Sequence, residues 1–225
     1  MIIVIDYGMG NLHSVRKALE VVGAKAKVSS RAEDILKADK IVFPGVGSFG
    51  EAMKELNKRK LVKPIKDAIN VGKPFLGLCL GLQLLFERSE ESPGVRGLGL
   101  LKGAVKRFKF AGRRSFERSC LSRSQDQICA ANLKVPHMGW NNIVNSSKLK
   151  VRSSKILKNV PDNSCMYFVH SYYVKPVDKK VVLTTTSYGI DFASGVCKDN
   201  IYAFQFHPEK SQELGLKILK NFVRL

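Results

Sequence analysis

The first half of the chain alternates short apolar runs with segments whose apolar residues recur at helical spacing. Ile2–Asp6 is the first such run, and Val15 and Leu19 follow it four residues apart. The alternation continues through the runs Ile41–Phe43 and Pro74–Leu78. Because strands that alternate with helices form parallel βαβ units, helices cover both faces of the resulting sheet. The pattern therefore predicts an α/β fold with a mixed, mostly parallel sheet flanked by helices.

The second half of the chain lacks this alternation. Met166–Val174, Val181–Thr186, Ala193–Lys198 and Ile201–Phe206 are strand-like runs with few helices between them. They predict an antiparallel extension of the sheet, followed by a final amphipathic helix around residues 214–222. The length of 225 residues fits a single domain over 1–225. The stretch 111–133, rich in Arg and Ser, is predicted to be a flexible insertion.

The chain is strongly basic, with 38 Lys and Arg against 19 Asp and Glu and a formal net charge of +19. Such an excess suits nucleic acid or an acidic partner, but no nucleic-acid-binding motif accompanies it. A solvated basic surface explains the charge as well, so nucleic-acid binding is not the predicted function. No apolar run approaches the roughly 18 residues of a membrane span, and we expect a cytoplasmic protein.

The five cysteines are an odd number, widely spaced, and contain no CxxC pair. This pattern argues against a disulfide framework and against a zinc site. We therefore expect reduced thiols, no metal and no cofactor. One of these thiols is a candidate nucleophile.

That candidate is Cys79 in the pentapeptide Gly77-Leu78-Cys79-Leu80-Gly81, at a predicted strand-to-helix junction. The G-x-C-x-G pattern is typical of a nucleophile elbow, in which the flanking glycines make room for neighbouring backbone. The positive end of the following helix favours the thiolate, and the N–H of Leu80 faces an oxyanion formed on attack. Taken alone, these five residues are equally consistent with a buried structural cysteine.

A thiolate nucleophile needs a proton partner, and His207 in Phe206-His207-Pro208-Glu209 is the best candidate. It follows an apolar strand, where a rigid sheet can direct the ring into a cleft, and Glu209 is close enough to orient it. The loop Pro44–Gly50 also ends a strand and could present backbone N–H groups to an oxyanion. A simple turn or a phosphate cradle remains an alternative for that loop, although it lacks the Lys-Ser/Thr ending of a P-loop.

These motifs resemble those of a known enzyme family. The sequences GLCLGLQLLFE around Cys79 and FQFHPEKS around His207 resemble class I, triad-type glutamine amidotransferases. Four further segments, DYGMGN, PGVGSFG, VPHMGWNN and YFVHSYY, are similar to the glutaminase subunits of imidazole glycerol phosphate synthases. The resemblance covers nearly the whole chain except about 110–133, where this sequence is longer than the family usually shows. It implies the flavodoxin-like fold of class I glutamine amidotransferases.

The resemblance implies a Cys-His-Glu triad of Cys79, His207 and Glu209 that hydrolyses glutamine to glutamate and ammonia. It places the oxyanion hole at the N–H groups of Val46 and Leu80, completed by a peptide reorientation in the loop. The implied glutamine-binding residues are Gly47, Gln83, Glu91, Ser171 and Tyr172. For Gln83 and Glu91, an exposed helix residue and a loop charge are the alternatives.

The resemblance also implies a partner, a (β/α)₈-barrel cyclase that forms a heterodimer with this chain and receives the ammonia through a tunnel. The cyclase would make imidazole glycerol phosphate and aminoimidazole carboxamide ribotide in histidine biosynthesis. The predicted partner interface includes Met9, Asn11, Ser48, Phe49, Trp140, Tyr167 and Lys210. For Trp140, an ordinary core tryptophan is the alternative. Two other functions stay open: a glutaminase that feeds a sugar-amidating synthase, and a non-catalytic basic binding protein on the same fold.

Overall fold

The computed structural model describes residues 1–110, 133–146 and 153–225, so nearly all of the predicted insertion at 111–133 lies outside the described residues. The first half contains the predicted alternation of strands and helices. Its elements are β1 Ile2–Ile5, α1 Leu12–Val21, β2 Ala26–Ser29, α2 Ala32–Lys37, β3 Lys40–Gly45, α3 Phe49–Lys58, α4 Val62–Asn70, β4 Phe75–Cys79 and α5 Leu80–Gln83.

The second half is dominated by strands, as the sequence predicts. Its elements are β5 Phe86–Ser89, β6 Leu101–Arg107, β7 His137–Asn145, α6 Ser153–Ile156, β8 Ser164–His170, β9 Tyr172–Pro176, β10 Val182–Ser187, β11 Asp191–Lys198, β12 Ile201–Phe204 and α7 Gln212–Val223. Two short 3-10 turns, Lys179–Val181 and Pro208–Lys210, lie among them.

The sheet combines a parallel half with an antiparallel half, which confirms the predicted fold class. Its main path runs β2-β1-β3-β4-β12-β11-β10-β7-β8, and β5, β6 and β9 join as a side branch. The pairs from β2 to β12 are parallel, whereas β11 is antiparallel to both β12 and β10. The last strand of the chain thus lies beside β4, in the middle of the sheet.

Helices pack on both faces of the parallel half because side chains alternate along each strand. In β1, Ile3 and Ile5 belong to the core that lies under α2, α3 and α4. Ile2 and Val4 belong to the opposite core, which α1 and α7 cover. Within the described residues, no helix combines the length and the apolar character that crossing a membrane requires.

Two predictions of local structure are wrong. The spacing of Leu82, Leu85 and Phe86 predicts that the helix after Cys79 extends through Phe86, but this helix ends at Gln83 because Phe86 pairs with Leu101 as the first residue of β5. The predicted strand Met166–Val174 is divided at Ser171, since β8 pairs with β7 while β9 pairs with β6 and β11. In both places pairing with distant strands overrides the local apolar pattern.

Candidate active site

The nucleophile and the base candidates lie at the carboxyl ends of two adjacent parallel strands. β4 and β12 pair in parallel, with Leu78 opposite Phe204. Cys79 follows Leu78 at the end of β4, and His207 lies three residues beyond the end of β12. Since parallel strands end at the same edge of a sheet, this pairing brings together residues that are 128 positions apart in the sequence.

Cys79 has the backbone conformation of a nucleophile elbow, with φ 53° and ψ −108°. Few residues other than glycine adopt a positive φ, and such strain is frequent at functional sites. The following glycine has a steric reason, because a Cβ on Gly81 would lie 2.0 Å from the carbonyl oxygen of Phe43. A Cβ on Gly77 would lie 3.0 Å from the Gly81 oxygen. The expected role of the flanking glycines, room for neighbouring backbone, is confirmed.

His207 is oriented by Glu209, with 2.8 Å between His207 Nδ1 and Glu209 Oε1. Both side chains are almost completely buried, at 4% and 2% exposure. Burial by itself lowers the pKa of His207, but the facing Cys79 and the Glu209 carboxylate more than offset it and raise that pKa to about 10. Among the described residues, His207 Nε2 has no partner that meets the geometry of a hydrogen bond, so the end of the ring opposite Glu209 stays available on the side of Cys79. The interactions with Cys79 and Glu209 therefore favour the protonated, imidazolium form of the ring.

The turn that carries His207 and Glu209 is fastened to β8 and to α7. The N–H of His207 donates to the Tyr167 oxygen at 2.9 Å, and the Tyr167 N–H donates to Ser211 Oγ at 3.0 Å. The Ser211 hydroxyl in turn donates to the His207 oxygen at 2.6 Å. On the other side, a Cβ on Gly215 would lie 2.0 Å from the Pro208 oxygen, so α7 approaches the turn as closely as backbone allows.

A cavity of about 310 Å³ opens in front of Cys79. Its volume falls at the lower end of the range for small-molecule sites. Both oxyanion-hole candidates and all five predicted glutamine-binding residues line it together with the nucleophile and the base. These residues are Val46, Gly47, Cys79, Leu80, Gln83, Glu91, Ser171, Tyr172 and His207. Glu209 lies behind His207, so the structure brings together every residue of the predicted site, although their roles stay predictions.

The amide of Gln83 has its orientation set by a backbone carbonyl. Gln83 Nε2 donates to the Tyr172 oxygen at 3.1 Å and to Gln205 Oε1 at 3.1 Å. Both N–H groups are used, so Oε1 is the end of the amide that remains for a ligand in the cavity. A carbonyl-type oxygen accepts hydrogen bonds, which suits a ligand ammonium group. Gln83 is also buried, which excludes the exposed helix residue as an alternative.

The carboxylate of Glu91 links the cavity to the loop after β3. Its Oε2 accepts from the N–H of Phe49 at 2.7 Å, at the N-terminus of α3. A negative charge is favourable there because it meets the positive end of the helix. Gly47, with φ 92°, lies two residues earlier in the same loop, beside the side chain of Met9. Glu91 is therefore a structured part of the site rather than a free loop charge.

Three of the predicted interface residues form a surface group that we call the Trp140 cluster: the exposed Trp140 and Lys210 and the half-buried Tyr167. Trp140 is 48% exposed, which excludes the core tryptophan as an alternative. Its ring meets Tyr167 edge-on with centroids 5.9 Å apart, and Lys210 Nζ lies 5.8 Å from the Tyr167 centroid. Because the Tyr167 backbone bonds to the turn of His207, the cluster lies directly behind the triad candidates.

The other predicted interface residues differ in how far they are exposed. Asn11 is exposed and caps α1, accepting from the Ser14 N–H at 3.3 Å, while Ser48 caps α3. Phe49 is different, because its side chain is completely buried against the core near Gly97. The structure therefore gives the Phe49 side chain no surface for a partner, and that part of the interface prediction is not supported.

Three residues near the site were not identified from the sequence as site residues. His170 lines the cavity, Gln205 contacts Cys79, and Gly215 supports the turn of His207. For Gln205 the position two residues before His207 was a usable signal, since alternate residues along an extended segment share one side. For Gly215 the only signal was a glycine inside an otherwise apolar helix. Among the described residues, no group of His, Cys, Asp or Glu is arranged to hold a metal ion.

His170 and His137 form a buried neutral pair that should make the fold acid-sensitive. His170 Nδ1–H donates to the Tyr172 oxygen at 2.8 Å, which leaves His170 Nε2 to accept from His137 Nδ1–H at 2.9 Å. Burial lowers the pKa of His170 to about 3 and that of His137 to about 4. Both values lie below the unfolded value near 6.5, so the unfolded chain binds more protons below that pH. Their contribution to stability is present above pH 6.5 and declines as the pH falls toward 4.

We therefore expect the urea concentration at the midpoint of unfolding to decrease as the pH is lowered from 7 to 5. A His137→Phe/His170→Phe double variant, whose side chains suit the surrounding aromatic rings, should lose most of that slope. Because His207 is present in both proteins, its contribution to the pH dependence of stability cancels in the comparison. The exposed His13→Asn variant is the control and should keep the wild-type slope. Equal slopes in the double variant and the wild type would contradict the assignment.

Comparison with known proteins identifies the class to which this site belongs. Residues 3–225 match the family model described as glutamine amidotransferase class-I. Solved structures share the fold: PurLQS from Thermotoga maritima has a TM-score of 0.68 at 18% identity, covering 99% of this chain and 97% of that chain. The glutaminase domain of Trypanosoma brucei CTPS has a TM-score of 0.61 at 16% identity, covering 98% and 91%. The chain belongs to the class-I glutamine amidotransferases.

Relatives with curated names identify a narrower group within this class. A protein of Geobacter metallireducens named imidazole glycerol phosphate synthase subunit HisH is 48% identical over 221 residues, covering 98% of this chain and 96% of the relative. The protein of the same name from Aquifex aeolicus is 48% identical over 223 residues, covering 99% and 95%. Within its class, the chain is therefore a member of the HisH group.

Proposed function

We propose that this chain hydrolyses glutamine at Cys79 and passes the ammonia to a cyclase subunit, as the glutaminase subunit of imidazole glycerol phosphate synthase in histidine biosynthesis. The observation that carries the proposal is the arrangement at the ends of β4 and β12. There a strained Cys79 shares one cavity with His207, whose far side bonds Glu209 at 2.8 Å. The HisH relatives, similar along nearly their whole length, support the choice of this synthase.

The reaction begins with the Cys79 thiolate attacking the carboxamide carbon of glutamine. The electron pair of the carbonyl moves to oxygen, and the N–H groups of Leu80 and Val46 stabilise the resulting oxyanion. His207 starts as an imidazolium, so it can give its proton to the departing ammonia. The neutral ring then takes a proton from water as the water oxygen attacks the thioester carbon, and collapse of the intermediate breaks the C–S bond, which releases glutamate and restores the Cys79 thiolate and the His207 imidazolium. Glu209 stabilises the charged ring in both half-reactions.

The other cavity residues recognise the amino-acid end of glutamine. Gln83 offers its Oε1 and Glu91 its free carboxylate oxygen to the α-ammonium group. Gly47 and the backbone at Ser171 and Tyr172 complete the pocket. Because a buried acceptor left unpaired is costly, this arrangement discriminates against amides that lack the ammonium group.

The partner in this proposal is a (β/α)₈-barrel cyclase that forms a heterodimer with the chain. Two observations support a docking surface on this side: the exposed Trp140 cluster, and its main-chain connection through Tyr167 to the turn of His207. Tryptophan and tyrosine are enriched among residues that dominate binding energy. The cytoplasmic location and the single domain over 1–225 stay predictions.

The test is a coupled assay with purified cyclase and this chain. Alone, the chain is expected to hydrolyse glutamine very slowly, and turnover should rise when the cyclase carries its phosphorylated ligand. The physical reason is that the loop at Val46–Gly47 completes the oxyanion hole only in the complex. With ammonium salts in place of glutamine, the cyclase should work without this chain. High glutaminase activity of the isolated chain would contradict this coupling.

The runner-up is a glutaminase that supplies a different acceptor, such as a sugar-amidating synthase. The triad does not discriminate between the two, since both reactions need the same ammonia. The identity to HisH proteins favours the histidine pathway. If the cyclase fails to stimulate glutamine hydrolysis while a sugar-amidating partner does, the alternative is correct.

A further inference from the structure

Gln205 lies beside the nucleophile and is completely buried. It follows β12, and its N–H donates to the Ser194 oxygen at 2.8 Å, which fixes its backbone to β11. Its side-chain amide reaches two residues of the cavity. Oε1 accepts from Gln83 Nε2 at 3.1 Å, and Nε2 lies 3.6 Å from Cys79 Sγ.

The direction of the Gln205 amide follows from a chain of hydrogen bonds that starts at the main chain. The Tyr172 carbonyl oxygen can only accept, so the Gln83 group facing it is the NH₂ end. That NH₂ end also faces Gln205, which must then present its oxygen. The other end of Gln205, its NH₂, is therefore the group that points at the sulfur. The reverse orientation would set the NH₂ groups of Gln83 and Gln205 against each other, and neither could accept from the other.

A donor at this place acts differently on the two forms of Cys79. The thiol can donate to the Val169 oxygen, 3.8 Å from Sγ, and that contact favours the protonated form. The thiolate is the stronger acceptor, so the Gln205 amide favours the charged form. Only the thiolate attacks a carboxamide. The Gln205 donor thus counteracts the carbonyl of Val169.

We propose that Gln205 is a positioning residue that holds Cys79 as a thiolate, with its amide aligned through Gln83 and the Tyr172 carbonyl. The role rests on the proposed function, since a reactive thiolate serves a reaction only if Cys79 is the nucleophile. It also makes Gln83 bifunctional, because the same amide that offers its oxygen to the ligand orients the donor to the sulfur. Gln205 acts through Cys79 and needs no contact with glutamine.

Two variants of nearly the same shape separate the hydrogen bond from packing. Gln205→Met keeps the volume and removes both polar groups. Gln205→Glu keeps an oxygen for Gln83 and replaces the NH₂ beside the sulfur with a second oxygen. Each is measured by the rate of alkylation of Cys79 with iodoacetamide across pH 6–9, in the full chain. Peptide mass spectrometry assigns the label to Cys79 and excludes the other cysteines.

Gln205→Met is expected to slow the alkylation of Cys79 at pH 7 by about tenfold, the order of one hydrogen bond to a charged group, and to shift the profile to higher pH. In the complex, kcat for glutamine should fall with KM little changed, because Gln83 keeps its bond to Tyr172. Gln205→Glu should slow alkylation at least as much. If Gln205 served only to pack or to orient Gln83, the alkylation profile of Gln205→Met would match the wild type, because methionine keeps the volume and adds no charge beside the sulfur.

An unchanged alkylation profile in Gln205→Met would overturn the assignment, even if kcat fell. If Gln205→Met fails to fold by its thermal transition, Gln205→Leu, which also removes the donor without adding charge, takes its place. Alkylation requires no glutamine turnover, so the result stands apart from the proposed function. A chain without glutaminase activity in any complex would refute that function while leaving the thiolate measurement intact.

Discussion

Cys79→Ala is expected to lower glutamine hydrolysis by at least about 10⁴-fold, because loss of a nucleophile removes the whole covalent pathway. Alanine keeps the Cβ, so the strained backbone at φ 53° changes little, and the fold should persist. The measurement is glutamate release by the complex with the ligand-loaded cyclase. Binding of the cyclase and its ammonium-dependent reaction should both remain, because neither involves the sulfur.

The matched control for this variant is Cys197→Ala. Cys197 is also buried, but it lies in β11 outside the residues that line the cavity. The glutaminase activity of the Cys197→Ala variant should equal that of the wild type. Retained turnover in Cys79→Ala would end the proposal of a cysteine mechanism. Loss of the ammonium-dependent reaction in the same variant would show instead that the substitution damaged the complex.

Gly215→Ala is expected to lower kcat/KM by about 10²-fold, because a displacement of 1 Å at a catalytic group has that order of effect. The new Cβ would lie 2.0 Å from the Pro208 oxygen, between His207 and Glu209 in the sequence. Relief of that clash must move the turn relative to α7 and therefore displace His207 relative to Cys79. Alanine has the higher helix propensity, so the helix itself is not weakened.

The control for this second variant is Lys217→Ala, an exposed position in the same helix. It should keep full activity and similar thermal stability. The His207 environment can be followed directly by NMR of the imidazole protons, which should shift in Gly215→Ala alone. Wild-type kcat/KM in Gly215→Ala would mean that the turn tolerates the displacement, and that the close approach of α7 has no role in positioning the triad.

If the cyclase docks at the Trp140 cluster as proposed, its binding has a short structural path to the turn of His207. Tyr167 contributes its ring to the exposed cluster and its main chain to the turn of His207. Glu91 in turn bonds the backbone of Phe49, at the end of the loop that holds Val46 and Gly47. The proposed ligand and partner residues are therefore joined by main-chain hydrogen bonds to the turn of His207 and to the loop of Val46 and Gly47.

The elements around the site are where the predicted and the observed secondary structure differ. The spacing of apolar residues was sufficient to predict the strands and helices of the first half, because each of these elements buries one local face. It failed at Phe86, where the apolar residues continue in helical spacing but the backbone pairs with Leu101. It failed again at Ser171, where one apolar run serves two different neighbouring strands.

The amino-acid sequence by itself determined the chemistry: a cysteine between two glycines, a histidine with a glutamate two residues later, and an α/β order. These features are local, and short-range sterics and side-chain type are enough to specify them. Only the tertiary structure decided that β12 lies beside β4, that Gln205 faces the sulfur, and that α7 touches the Pro208 carbonyl. The contacts of β12 with β4 and of Gln205 with Cys79 join residues more than 100 positions apart. The contact of Gly215 with the Pro208 carbonyl depends on how closely two backbone segments approach. Such contacts depend on how whole elements pack, which no short stretch of sequence encodes.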